Sequence, residues 1–174
     1  MILLLAAILA ACRTSASPSS EKPSLDAEWT GADTAKVAGP ATAEWCDSLR
    51  LLQIQSLRGD TGIAIAIYPV RQIGAGRFPI VAPARADTAP PAAAVAIRWF
   101  AETSIRGFQG DSGNVVIQES RPGVFAGTFE AGAHSATDGG HLTIRGSFRG
   151  LTVQPARRGC TARRHPGDSG AGVH

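Results

Sequence analysis

Two Gly-Asp-Ser-Gly stretches, at residues 110–113 and 167–170, are the first candidates for chemistry in this chain. A serine hydroxyl becomes a useful nucleophile only when a neighbouring base takes its proton and a carboxylate orients that base. Gly, Asp and Ser are also the residue types that favour turns. Turn formation accounts for both stretches, so the sequence predicts a turn at Gly110–Gly113 and assigns no catalytic residue.

The stretch around Ser112 resembles the Gly-Asp-Ser-Gly segment that surrounds the nucleophile of chymotrypsin-like proteases. That family places its histidine and its aspartate before the serine, whereas no histidine precedes Ser112 in this chain. The glycine and proline that follow the family's motif are absent after both copies. The motif therefore does not predict protease activity.

Histidines and carboxylates offer a second kind of chemistry, metal binding. His134, Asp138 and His141 share one glycine-rich segment, which predicts a solvated loop. A metal ion needs three or four ligands held on rigid elements. No further ligand stands at a suitable spacing, so we predict no metal site and no other cofactor.

The first twelve residues carry a different signal. Met1–Ala11 is an apolar run, which is too short to cross a bilayer, since that takes about 20 residues. It fits the apolar region of a secretory signal. The segment Leu9-Ala10-Ala11-Cys12 resembles the lipobox of bacterial lipoproteins. The alternative is a signal peptide that is cut elsewhere, with no role for Cys12.

The lipobox resemblance has several implications. It implies cleavage before Cys12, a diacylglyceryl thioether on the Cys12 sulfur and a fatty acid such as palmitate on the new amine. Two or three acyl chains give stable membrane anchoring. The protein is then a lipid-anchored component of the cell envelope. Arg13 follows the cysteine, where an Asp would resemble an inner-membrane retention signal, so the outer membrane is favoured over the inner one.

The two other cysteines, Cys46 and Cys160, are predicted to form a disulfide. An exported chain with an even number of remaining cysteines favours a bridge. Cys46 precedes the first clear strand and Cys160 follows the last, so the bridge would bracket the domain. Two separate thiols are the alternative.

The net charge of +3 does not predict nucleic-acid binding. Residues 157–174 hold four arginines and one aspartate, which equals the excess of the whole chain. The rest of the chain is therefore neutral overall. A basic segment of this kind is a weak electrostatic footprint for an anionic surface, and a solvated, poorly ordered end is the preferred explanation.

Alternating apolar residues predict strands from Cys46 onward. Ile63, Ile65 and Ile67 give the clearest one, and it forms a hairpin with residues 49–57 through a turn at Arg58–Thr61. Further strands are predicted around residues 78–80, which Pro79 marks as an edge, and at residues 95–100, 115–117, 125–129 and 142–153. Residues 25–45 are predicted to be a short strand or a loop. A helix over residues 90–102 is the alternative to one of the strands.

The sequence therefore predicts an all-β fold, an antiparallel β-sandwich or barrel-like domain of about seven or eight short strands. Its predicted parts are a signal peptide at 1–11, a lipidated N-terminus and flexible tether at 12–24, the β-domain at 25–160 and a basic disordered tail at 161–174. The paired Gly-x-Phe segments Gly127-Thr128-Phe129 and Gly146-Ser147-Phe148 resemble those of uncharacterised small β-sandwich lipoproteins.

The function expected from the sequence is that of a non-enzymatic envelope module. Its partners would be the membrane, through the N-terminal lipid, and an envelope protein. The alternative is a carrier for a small apolar ligand, and an enzyme is the third hypothesis. Trp29, Trp45 and Trp99 are predicted to pack in the core or at its edge. A cavity of roughly 300 Å³ or more would favour the carrier.

Overall fold

The computed structural model describes residues 21–135 and 137–156. They form nine strands and one short helix. The elements are β1 (Ser24–Gly31), β2 (Ala35–Cys46), β3 (Leu51–Arg58), β4 (Thr61–Tyr68), β5 (Gly76–Pro79), α1 (Pro83–Ala86), β6 (Ala92–Ala101), β7 (Ser104–Arg121), β8 (Val124–Ser135) and β9 (His141–Pro155).

Eight of these strands close into an antiparallel barrel, and β5 lies outside it. Apart from β5, each strand pairs with the next one in the chain, and β1 pairs with β9 to complete the circle. β5 pairs with β7 only, which is the edge position that Pro79 predicts. The expected all-β fold is confirmed, and of its two forms the barrel is the one observed.

The strand predicted at residues 95–100 is confirmed as part of β6, and the alternative helix does not form. Three other local predictions are wrong. Residues 25–45 form two full strands, β1 and most of β2. His134 and His141, which were predicted to lie in a loop, belong to strands β8 and β9. Gly110–Gly113 lies inside β7, which bulges between Gly110 and Ser112 instead of turning. Pairing with β8 explains that last result, because Gly110, Ser112 and Gly113 all lie in the β7–β8 ladder, which outweighs the local turn preference. The strands are also longer than expected, up to the 18 residues of β7.

The inside of the barrel is filled by side chains that alternate along every strand. Aliphatic residues such as Leu52, Ile65 and Ile144 are at most 1% exposed. Trp99 stacks between Trp29 and Phe108, with ring centroids 5.5 and 5.3 Å apart. Trp29 and Trp99 are buried, which confirms the core role predicted for them. The partly buried Trp45 packs against the same core.

The two Gly-x-Phe segments explain how β8 and β9 fit together. In the antiparallel register Gly127 lies opposite Phe148, and Phe129 lies opposite Gly146. Each phenyl ring occupies the space above the facing glycine, so that a β carbon on either glycine would overlap the ring. Alternating large and small residues in this way fills a narrow barrel without strain.

The barrel has two distinct ends. At the entry end, Pro23 accepts a hydrogen bond from the Ala41 N–H (3.2 Å), just before β1 begins. The end of β9 lies there too, because the Ala156 N–H donates to the Trp45 carbonyl (2.9 Å). The far end carries the β1–β2, β3–β4, β6–β7 and β8–β9 turns. Both described chain ends therefore leave the barrel at the entry end.

Candidate functional site

The far end of the barrel is closed from inside by an arginine. Arg106 lies opposite Trp99 in the β6–β7 ladder, so it points inward. Its guanidinium carbon lies 5.9 Å from the Trp99 ring centroid and 5.7 Å from that of Phe108. Asp138, from the β8–β9 connection, holds Arg106 through a 3.0 Å ion pair. This cation–π arrangement adds a polar cap to a packed aromatic stack.

Asp138 is well supplied with hydrogen bonds. The Ser135 hydroxyl, the Gly140 N–H and then Arg106 lower the pKa of its carboxyl below the usual 3.8. Asp138 therefore stays charged at neutral pH, and its ion pair with Arg106 helps to close the far end of the barrel. It does not join His134 and His141 as the sequence segment suggested.

The two histidines lie on the outer surface as direct cross-strand partners of β8 and β9. His134 Nδ1 is 3.1 Å from Asp111 Oδ2, and both side chains are more than a third exposed. Among the residues that the structure describes, no group of three or more His, Cys, Asp and Glu is arranged to hold a metal ion.

The Asp111 carboxylate lies between Ser112 and His134. The Ser112 hydroxyl donates to Asp111 Oδ1 at 2.9 Å, and His134 lies at the other oxygen. The Ser112 hydrogen bond, and more weakly His134, lower the pKa of the Asp111 carboxyl. A triad needs the histidine between the serine and the aspartate. With this order the serine donates to a weakly basic carboxylate, so Ser112 is not activated as a nucleophile.

One side of the barrel surface is strongly charged. Glu130, Arg145, Glu28 and Lys36 occupy one register row across β8, β9, β1 and β2. Arg145 donates two hydrogen bonds to Glu130 Oε1, at 3.1 and 2.9 Å. Both partners are more than half exposed, so the pair contributes little to stability. Two open grooves of about 730 and 630 Å³ flank Arg145.

The opposite side, which we name the low-charge face, differs sharply. It consists of outward residues of β3, β4, β6 and the first part of β7. Arg98 is its single charged member. These residues are Gln53, Gln55, Leu57, Gly62, Ala64, Ala96, Arg98, Phe100, Ile105, Gly107 and Gln109.

Large apolar side chains stand out at the far end of this face. Leu57, Phe100 and Ile105 are 63%, 58% and 57% exposed. Phe100 and Ile105 are direct cross-strand partners. Leu57 leans over Gly62, with its Cδ1 only 3.0 Å from the point where a β carbon on Gly62 would lie, and Arg98 Nε lies 3.7 Å from the same point. Leu57 and Phe100 stand on strands that β4 separates, and the Arg98 side chain lies beside Gly62 between them. The three exposed apolar side chains therefore share the far end of this face, and we call them the apolar patch.

A shallow floor of small residues continues from this patch toward the entry end. Gly62, Ala64, Ala96 and Gly107 line an open groove of about 370 Å³. Glutamine side chains border it. Few charges, exposed aromatic and aliphatic anchors and a polar rim are the composition of protein–protein interfaces.

Sequence reasoning did not single out this face. Its signal was present in residues 95–100, where inward Ile97 and Trp99 place Phe100 on the outer side of the strand. An aromatic residue on the solvent side of an amphipathic strand indicates a binding surface only when its neighbours on other strands are known.

The residues with predicted roles lie partly outside the described chain. Leu9, Ala10, Ala11, Cys12 and Cys160 belong to the parts that the structure does not describe. Cys46 ends β2 and is 5% exposed. Ala156 lies beside Trp45, and four residues reach at most about 14 Å, which is enough to bring Cys160 to Cys46. The disulfide stays a prediction.

A scan against protein-family models gave no match for this chain, and searches among curated proteins and solved structures gave none either. Within residues 21–135 and 137–156, no helix is long and apolar enough to cross a membrane.

Proposed function

We propose that this protein is a lipid-anchored binding module of the cell envelope, which presents the low-charge face of its barrel to a partner protein. The lipid is attached to Cys12 of the lipobox Leu9-Ala10-Ala11-Cys12, and Arg13 favours the outer membrane. The observation that carries the proposal is that Leu57, Phe100 and Ile105, each more than half exposed, all project from the far end of the low-charge face.

The geometry of the chain ends supports this arrangement. Residues 21–24 enter the barrel at the entry end, whereas the apolar patch lies near the β3–β4 and β6–β7 turns at the far end. Residues 12–23 of the predicted tether span at most about 40 Å when fully extended. An anchor on this tether therefore joins the barrel at the end opposite the patch, which leaves the patch free to meet a partner.

The carrier alternative is less well supported by the packing. In the described part of the chain the inward side chains bury one another, and the aromatic stack of Trp29, Trp99 and Phe108 occupies the far end of the barrel. The grooves of about 370 to 730 Å³ lie open on the outside. Ligand carriers enclose most of the ligand surface, which these open grooves do not do.

The anchor is tested by replacing Cys12 with serine. The C12S protein should appear in the soluble fraction and take up no labelled palmitate, whereas a Ser15→Ala control should stay with the membrane and be labelled. If C12S remains membrane-bound and the native chain is never labelled, the anchor proposal is wrong.

The binding face is tested in intact cells with a photo-cross-linking residue. A probe at position 100 on the low-charge face should give protein adducts, and a probe at position 143 on the charged face should give far fewer. Equal adduct yields at the two positions would overturn the assignment of the face.

A further inference from the structure

The two histidines that the structure describes stand side by side at the far end of the barrel. His134 on β8 and His141 on β9 are direct cross-strand partners on the outer surface. The Ser135 hydroxyl accepts hydrogen bonds from the Thr137 and Asp138 N–H groups, which fixes the turn between the two strands. The pair therefore stands on rigid elements, as a metal chelate requires.

We propose that His134 and His141 chelate a divalent transition-metal ion, Cu²⁺ most tightly, with water in the remaining coordination positions. Imidazole nitrogens suit Cu²⁺, Ni²⁺ and Zn²⁺, and Cu²⁺ binds most strongly in this series. A structural or catalytic centre takes three or four protein ligands, whereas two protein ligands give a weaker, exchangeable site. The pair lies outside the low-charge face, so this inference goes beyond the proposed function.

The hydrogen-bond pattern of the hairpin brings the two rings close together. The Ser135 N–H donates to the Gly140 carbonyl at 2.7 Å, so these two residues form a hydrogen-bonded pair. The next pair along the ladder, His134 and His141, is therefore a non-hydrogen-bonded one, in which side chains approach most closely.

This separation suits a chelate. The β carbons of a non-hydrogen-bonded pair lie about 4.5–5.5 Å apart. A metal ion that binds two imidazoles at about 2.0–2.1 Å holds their nitrogens roughly 3 Å from each other. Rotation about the side-chain bonds of the two histidines is enough to close this difference.

Asp111 prepares one of the two ligands. Its Oδ2 lies 3.1 Å from His134 Nδ1, and because an ionised carboxylate only accepts hydrogen bonds, Nδ1 carries the proton. In the neutral ring Nε2 is then the unprotonated nitrogen that a metal ion requires. The Ser112 hydroxyl donates to the other oxygen of Asp111 at 2.9 Å and keeps the carboxylate in place.

This carboxylate distinguishes the pair from two solvated side chains. A metal-binding histidine almost always donates its other ring N–H to a carboxylate, a carbonyl or water, which fixes the orientation of the ring. His134 already has this partner, although no metal ion is needed to explain the fold around it.

The surroundings leave room for the remaining ligands. An open groove of about 350 Å³ runs beside His141, and Asp111, Thr30 and Thr143 also line it. Water molecules or a donor group of a partner can enter from this side. An ion held here is accessible and exchangeable, which fits uptake or transfer of a metal ion.

The test is a Cu²⁺ titration of the full chain carrying C12S, made without a histidine tag and followed by calorimetry and electron paramagnetic resonance. One Cu²⁺ per chain should bind with a dissociation constant below about 100 µM, and its spectrum should show two imidazole nitrogens. His134→Gln and His141→Gln each remove a ligand, so each should weaken binding by more than about tenfold and leave one nitrogen. Asp111→Asn removes the orienting carboxylate and should weaken binding about tenfold while both nitrogens remain.

The histidines outside the described residues supply the matched control. A His165→Gln, His174→Gln double variant should bind Cu²⁺ as the parent protein does, and circular dichroism should show every variant folded. The site is wrong if the parent protein binds no Cu²⁺ up to about 100 µM, if its spectrum shows sulfur ligands, or if His134→Gln and His141→Gln bind like the parent. Loss of binding in the double variant alone would assign the ion to the C-terminal segment and overturn the proposal. None of these results bears on the lipid anchor or on the low-charge face.

Discussion

Replacing Gly146 by alanine should destabilise the barrel far more than the same change at the open strand position Gly107. The added β carbon would fall on the Phe129 ring and 2.6 Å from the Asp26 carbonyl oxygen of the neighbouring strand. The ring can shift, but the carbonyl belongs to the β1–β9 ladder and cannot move without breaking pairs. Overpacking of a filled core costs about 1–3 kcal/mol, and the backbone overlap places Gly146→Ala at the upper end of that range, about 3 kcal/mol.

Gly107 supplies the matched control. It is also a strand glycine, but a β carbon there meets no atom within 4 Å and points to solvent. Gly107→Ala should be neutral or stabilise by up to about 1 kcal/mol, since alanine reduces the freedom of the unfolded chain. Urea denaturation followed by tryptophan fluorescence measures both changes.

A second substitution separates the two contacts of the added methyl group. Phe129→Leu in the Gly146→Ala background removes the ring overlap and should recover about 1 kcal/mol relative to the sum of the single changes. The overlap with the Asp26 carbonyl remains, so recovery should be incomplete. The reasoning is refuted if Gly146→Ala lies within about 0.5 kcal/mol of the parent protein, or if Gly107→Ala is equally harmful.

Two further outcomes follow from the structure. The pKa values of the Asp111 and Asp138 carboxyl groups are lowered in the folded state. A lowered carboxyl pKa stabilises the fold at pH values above the unfolded pKa of about 3.8, and this stabilisation is lost as the pH falls below it. The melting temperature of an Asp111→Asn, Asp138→Asn double variant should therefore drop less between pH 5 and pH 3 than that of the parent protein. Parallel curves would contradict this. In the full chain carrying C12S, a Cys46–Cys160 bridge should leave no thiol reactive after denaturation without a reductant. Cys160→Ser in that chain should lower the free energy of unfolding by about 4–5 kcal/mol in the chain-entropy model. Thiol titration that finds both remaining cysteines would exclude the bridge.

The success of the sequence analysis varied with the contrast between inward and outward residues. In β4 the inward positions are isoleucines and the outward ones alanines, so the strand and its hairpin with β3 could be predicted. In β2 the inward positions include Ala41 and Ala43, which differ little from their outward neighbours. Small residues weaken the period-2 signal, and β1 and β2 were therefore underestimated.

The low-charge face could not be predicted because its members come from four strands. Leu57 and Phe100 are 43 positions apart in the chain, and their position on one face depends on the registers of β3, β4 and β6. Register is set by pairing between distant segments, and a shift of one residue would move each of these side chains to the other side of the sheet.

The sequence by itself determined the residue pattern of the barrel. Alternation fixes which side chains of a strand share one side, and the two Gly-x-Phe segments contain the alternation of small and large residues that packs β8 against β9. Only the tertiary structure decided that β1 meets β9, that the sheet closes into a barrel, and that Asp111 lies between Ser112 and His134. The physical reason is that local preferences act within a strand, whereas closure and register depend on non-local hydrogen bonding and on filling a common core.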